Sequence, residues 1–294
     1  MSELTEDRFN KIISEPKSEH LITVEGTNIY YQKWGDSKNP GLVLVHGSGA
    51  HSHWWDFIAP LLTNLFEVSA IDLAGMGQSD HRNDYSPEIF GREIIAVAED
   101  SGFYEGRSSN PILCGHSLGG YMSVNAANQA KEKVKGVIII DSPIRPPNFD
   151  FANHKGSGPI RKRKTYPDKK TILSRFRLAP EQPVEHQFIT DYIAKYSIQS
   201  INGGYEWRFD ETLFQKLGFG HMERSLAFEL NCPLGIIYGT KSDLFNQTIL
   251  DYIKNNISED TPLIGIEDAY HHVPLDKPFE LADSIIQITK MWEI

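Results

Sequence analysis

Five short apolar runs punctuate the chain: "GLVLVHG" (41–47), "FEVSAIDLAG" (66–75), "PILCG" (111–115), "VKGVIIIDS" (134–142) and "PLGIIYG" (233–239). Each is too short for a stable helix and closes on Gly, Asp or Ser. Runs this uniformly apolar read as strands buried on both faces, the habit of a parallel sheet. Helical patterns fall between them. "SPEIFGREIIAVAEDSGF" (86–103) opens with Ser86 placed as an N-cap and Pro87 at the first helical position, then repeats apolar residues at helical spacing up to Gly102. Strands alternating with helices build βαβ units, so the fold class is α/β with a mostly parallel sheet. Upstream, "HLITVEGTNIYYQKWG" (20–35) reads as two β-rich runs around Gly26, a hairpin.

The alternation fails between about 143 and 230, where "RPP", "KGSGP" and "RKRKTYPDKK" precede longer mixed stretches such as "PVEHQFITDYIAKYSIQSI". The pattern predicts a helical insertion forming a lid over the carboxyl edge of the sheet. The chain then divides into a first core part (1–142), an insertion (143–230) and a second core part (231–294). Neither an internal repeat nor a low-complexity tract is visible, which excludes a solenoid.

A length of 294 residues, 40% of them hydrophobic and 23% charged, suits one α/β domain with such an insertion. The formal charge of −10 argues against nucleic acid or an anionic membrane as the main partner; a small-molecule substrate and a monomer or homodimer are separate expectations. No run of about 18 apolar residues is present to span a membrane. The first twenty residues carry acids and lack the apolar centre of a signal peptide, and the only two cysteines, Cys114 and Cys232, read as buried free thiols. Both features point to a cytoplasmic location.

Gly115-His116-Ser117-Leu118-Gly119 matches G-x-S-x-G, after a strand-like run and before the helix-compatible "YMSVNAANQA". That context is what a nucleophile elbow requires: a sharp turn holds the serine hydroxyl above the sheet at a helix N-terminus. The plainer reading is a serine that only caps the helix. A serine nucleophile needs a base, and the base an orienting acid. Asp243 follows a strand in "IIYGTKSDLF", and His271 and His272 follow the next apolar run in "AYHHVPLDKP". The order Ser, Asp, His is that of one serine-hydrolase class.

Together, "LVLVHGSGAHSHWW", "IDLAGMGQSD", "CGHSLGG", "YGTKSD" and "HHVPLDKP" resemble the α/β-hydrolase superfamily from about residue 20 to 292. The resemblance implies an eight-stranded, mostly parallel sheet flanked by helices, a helical cap inserted after the sixth strand, and a triad of Ser117, Asp243 and His271. It also implies an oxyanion hole from the backbone N–H groups of Leu118 and Ser48. His271 stands seven positions before Pro278, as the base commonly does in relatives; Tyr270, where many relatives have glycine, keeps His272 open. Asp141 is the rival acid, since some relatives carry it on the sixth strand, and Asp268 lies close to the base in sequence.

The implied activity is an esterase-type serine hydrolase working through an acyl-enzyme. Thioester, lactone and carbon–carbon bond hydrolysis share the same residues, and a ligand-binding or receptor protein of the same fold is the alternative from another class. No cofactor is implied. His51 and His53 form an H-x-H pair without further clustered ligands, too few for zinc, so no metal is expected. Trp54 and Trp55 read as core or pocket-entrance residues. Residues 143–180 hold ten cations against two acids, the composition of a solvated loop. A functional alternative has Arg175 and Arg177 of "LSRFRLAP" facing the pocket and holding an anionic substrate group.

Overall fold

The computed structural model describes residues 4–106, 110–147, 149, 164–217 and 225–293. Strands β1 (Ser18–Val24) and β2 (Thr27–Trp34) pair antiparallel from Ser18 opposite Lys33 to Val24 opposite Thr27. Glu25 and Gly26 turn the hairpin with φ of 49° and 78°, the paired positive values of a type I′ turn. Then come β3 (Gly41–Val45), β4 (Glu67–Ile71), β5 (Ile112–His116) and β6 (Gly136–Ile140), buried at every position as their unbroken apolar runs require. Strands β7 (Ile198–Ile201) and β8 (Gly204–Trp207) form a separate hairpin, and β9 (Leu234–Gly239) and β10 (Leu263–Ile266) return to the main sheet.

That sheet has eight strands in the order β1-β2-β4-β3-β5-β6-β9-β10, parallel except where β2 meets β1 and β4. The helices are α1 (Glu6–Ile13), α2 (Ala59–Leu62), α3 (Pro87–Asp100), α4 (Leu118–Ala130), α5 (Lys169–Leu173), α6 (Gln187–Tyr196), α7 (Leu213–Leu217), α8 (Gln247–Asn256), α9 (Val273–Asp276) and α10 (Pro278–Met291). Ser86 caps α3 as its sequence predicts, accepting from Ile89 N at 3.2 Å.

Alternation along the strands divides the core in two. Val43, Val45, Leu113, Val137 and Ile139 pack with Ile94, Val97 and Met122 of α3 and α4 on one face. Leu42, Leu44, Ile112, Ile138 and Ile140 pack with Leu281 and Ile285 of α10 and with Trp55 and Phe57 on the other. Cys114 is buried in the second layer, Cys232 is partly buried, and both are free thiols. Among the described residues no helix is long and apolar enough to cross a membrane.

Between β6 and β9 the described chain carries α5, α6 and α7 but also the β7–β8 hairpin, so this segment is not purely helical. The hairpin turns at Asn202-Gly203-Gly204, with Gly203 at φ 96°, a conformation that glycine takes without strain. Four of the basic residues read from the sequence, Lys155, Arg161, Lys162 and Arg163, lie outside the described residues.

Candidate active site

Strand β5 ends at His116 and α4 begins at Leu118, leaving Ser117 alone on the corner at φ 53°, ψ −116°. A non-glycine residue with positive φ costs on the order of 1–3 kcal/mol and persists only where its surroundings hold it. Here Ser117 N donates to Ile140 O at 2.9 Å, and the Ser142 hydroxyl donates to Ser117 O at 2.6 Å. The corner also needs its glycines. A methyl on Gly115 would strike the backbone of Gly119, one on Gly119 the backbone of Val45 and His46, and one on Gly120 the side chain of Ser142.

His116 is opposite Ile140 in the parallel register of β5 and β6, so Ser117 and Asp141 leave neighbouring strands side by side at the carboxyl edge. Asp141 also has positive φ, 45°. Its buried carboxylate accepts from Gly239 N at 2.9 Å on Oδ1, and on Oδ2 from the Ser242 hydroxyl at 2.6 Å and His271 Nδ1 at 2.7 Å. A buried carboxylate is tolerable only with such donors around it. Because Nδ1 gives its proton to a carboxylate, Nε2 of His271 is left as the basic nitrogen.

The histidine loop is tied to the elbow as well. His116 donates from Nε2 to His271 O at 2.8 Å, and the two rings lie 4.8 Å apart between centroids. Burial, reinforced by the neighbouring His271, pushes His116 down to about 3, so it is a neutral donor at physiological pH.

The acid expected from the sequence, Asp243, is not at this histidine. It is exposed, four residues beyond the end of β9. The turn after β9 closes with Ser242 N on Gly239 O and Lys241 N on Ala269 O, which sends the Ser242 hydroxyl inward to Asp141 and leaves the next side chain outside. Asp268 is exposed too, paired with Lys241 at 2.7 Å. Among the described residues, His272 meets no carboxylate through its ring: Nε2 donates to Pro180 O at 3.1 Å, and burial pushes its pKa well below the usual histidine value.

The loop carrying Ser48 runs against the elbow, for a methyl on Gly47 would come within 3.2 Å of Ser117 Cβ. Leu118 occupies the first position of α4, where a backbone N–H has no acceptor within its own helix. Both backbone donors named from the sequence thus lie in segments meeting at Ser117.

Arg175 and Arg177 are exposed, contrary to a pocket-facing reading. The alternate residues of this turn, Phe176 and Leu178, go inward, with Phe176 against Trp207 at 6.1 Å between centroids, so the arginines point out. Arg177 Nη1 bonds the nearby carbonyls of Ser174 and Phe176 at 3.1 and 2.6 Å. Trp54 and Trp55 are buried; His53 pairs with Asp56 at 2.7 Å and His51 with Ser197 at 2.9 Å. A three-histidine group absent from the sequence reading, His116, His271 and His272, brings ring nitrogens within 4.8 Å of one another, and each ring spends one nitrogen on a bond described above.

A family model described as the alpha/beta hydrolase family matches residues 42–284. An uncharacterized hydrolase of Bacillus subtilis, YugF, is 30% identical over 123 residues, 41% of this chain and 43% of that protein. A pimeloyl-acyl-carrier-protein methyl ester esterase of Wigglesworthia glossinidia brevipalpis is 35% identical over 106 residues, 36% of this chain and 38% of that protein. The chain thus spans roughly two fifths of the length of these curated relatives. Among solved structures, E-2-(acetamidomethylene)succinate hydrolase superposes with a TM-score of 0.76 at 19% identity, covering 94% of this chain and all 100% of that one. The thioesterase domain of the curacin biosynthetic pathway gives 0.75 at 22%, covering 92% and 100%. Likeness at such identities speaks for the fold alone.

Proposed function

The chain belongs to the alpha/beta hydrolase family, and from that premise we propose that it is a serine hydrolase cleaving an ester-type bond of a small-molecule substrate through an acyl-enzyme. Ser117 Oγ attacks the acyl carbonyl. His271 Nε2 takes the hydroxyl proton and returns it to the leaving group, while Asp141, in place of Asp243, fixes the imidazole and offsets the positive charge that develops on it. The N–H groups of Leu118 and Ser48 receive the oxyanion, where preorganised donors contribute most. Water, activated by the same histidine, then releases the acid. Residues 143–230 act as a cap that shapes the acyl and alcohol pockets, and the reaction uses no cofactor.

The observation that carries this reading is the buried Asp141–His271 pair at 2.7 Å beside a serine in a positive-φ elbow. A strained serine at the same sheet edge as a carboxylate-oriented imidazole is costly for a purely structural corner. The ester class draws support from the esterase named among the relatives. The test is turnover of a panel of p-nitrophenyl esters from short to long acyl chains. Ser117→Ala should lower kcat by about 10⁴-fold or more with the fold intact. A folded variant turning over at the wild-type rate refutes the proposal.

A further inference from the structure

Two peptide N–H groups flank His271, those of Tyr270 and His272, and both end on one linked pair of side chains. Tyr270 N donates to Asp276 Oδ2 at 2.8 Å, and His272 N donates to Gln182 Oε1 at 2.8 Å. Gln182 Nε2 closes the ring on the two oxygens of Asp276 at 2.8 and 3.0 Å. The His272 ring adds a second tie to the same segment through Pro180 O. Gln182 and Pro180 lie in the insertion between β6 and β9, whereas Asp276 ends α9 of the core.

The chemistry of this ring is directional. A glutamine amide offers one acceptor and one donor group, and here the acceptor meets a backbone N–H while the donor meets a carboxylate. Asp276 is partly buried, and burial pushes it up to about 6, so its charged form depends on these donors. Upstream, the loop is held separately by the core, through Asp268 N on Thr240 Oγ1 at 3.1 Å and Lys241 N on Ala269 O at 2.9 Å. The stretch 270–272 therefore meets the insertion through Gln182 and Pro180, and Asp276 of the core closes the ring with Gln182.

We infer that Gln182 and Asp276 are positioning residues through which the insertion sets the orientation of His271, and hence the rate of its proton transfers rather than the affinity for substrate. The inference rests on the reading of His271 as the base. Misplacement of a reacting group by about 1 Å can cost as much as 10²-fold in rate, so a latch on the backbone N–H groups of both neighbouring residues has leverage on kcat.

The test exploits the ring's polarity. Gln182→Glu sets two carboxylates against each other, and Asp276→Asn sets two amide donors against each other. When the two substitutions are combined, the carboxylate now at position 182 accepts from His272 N and from the amide now at position 276. The oxygen of that amide still accepts from Tyr270 N, so both backbone N–H bonds and the 2.8 Å Gln182–Asp276 bond regain a donor and an acceptor, and only the longer 3.0 Å contact is left between two oxygens. Each single variant should lower kcat for a p-nitrophenyl ester about tenfold with KM within about twofold, and the double variant should recover to within about threefold of wild type. Melting curves recorded alongside fix a temperature at which all variants are folded. Should either single variant fail to fold, Gln182→Met, which keeps the length and removes only the amide, should show the same loss in kcat. Single variants with wild-type kcat, losses in KM instead of kcat, or a double variant no better than the product of the singles would overturn the inference. A wild type that turns over no ester and takes no fluorophosphonate label would overturn the hydrolase reading, and this inference with it.

Discussion

His271 donates from Nδ1 to Oδ2 of Asp141 over 2.7 Å, with the two side chains 6% and 0% exposed. The same oxygen takes the Ser242 hydroxyl at 2.6 Å, and Oδ1 takes Gly239 N, so strand β9 and the turn after it supply the donors that hold the carboxylate following β6. The aspartate paired with His271 is thus the one that follows β6, and the end of β9 supplies donors to it.

The two aspartates should accordingly separate by orders of magnitude. Asp141→Asn should lower ester kcat by about 10³–10⁴-fold, because an amide no longer holds the imidazole in its productive tautomer. Asp243→Asn, on an exposed side chain, should stay within about twofold. Steady-state kinetics on both variants decides, and equal losses would return the acid's identity to question.

The elbow makes a stability prediction. A methyl at Gly119 meets the backbone of Val45 and His46, on β3 and just after it, and that backbone cannot step aside without disturbing the sheet. Gly119→Ala should destabilise by about 1–3 kcal/mol or more and depress kcat with it. Urea unfolding of the variant against wild type measures the first, and an unchanged midpoint would mean the elbow is looser than described.

Much of this was legible in the sequence because burial on both faces writes itself as unbroken apolar runs, as in "VIIID". The tight corner at Ser117 was legible because only small residues fit at 115, 119 and 120. Which of Asp141 and Asp243 meets His271 was not, because β6 and β9 are neighbours and each is followed by an aspartate; strand order alone does not choose between them. What separates them is local: Asp141 follows its strand directly at φ 45°, whereas Asp243 comes after a closed turn. The β7–β8 hairpin had a readable signal, Asn-Gly-Gly between alternating residues, overlooked beside the helical pattern of α6.

The exposed positions of Arg175 and Arg177 predict no part in recognising charge. Replacing both by methionine should change kcat/KM equally, within about twofold, for an ester with a terminal carboxylate and for its neutral methyl-capped analogue. Selective loss for the carboxylate ester would contradict the exposed placement.

Glu93 gives a pH prediction. Burial pushes its carboxyl from 4.5 up to about 7, against Arg82 at 2.7 Å and Ala74 N at 3.0 Å, which favour the charged form, with Glu25 adding to the rise. The folded chain therefore holds a proton that the unfolded chain has released between about pH 4.5 and 7. Stability from this group is fully present below that window and is lost as pH rises through it. Glu93→Gln removes the titration, so the melting temperature of wild type relative to the variant should fall from pH 5 to pH 8. A constant difference would show that Glu93 does not titrate there.

The most direct test of the central claim, that Ser117 is a nucleophile activated by the His271–Asp141 pair, is fluorophosphonate labelling followed by peptide mapping. In wild type the label should sit on the hydroxyl of Ser117, and labelling should become slower by orders of magnitude in His271→Ala and Asp141→Asn while Asp243→Asn labels at the wild-type rate. A wild-type protein that takes no label, or takes it elsewhere, or a Ser117 that labels equally fast without His271 and Asp141, would contradict the account.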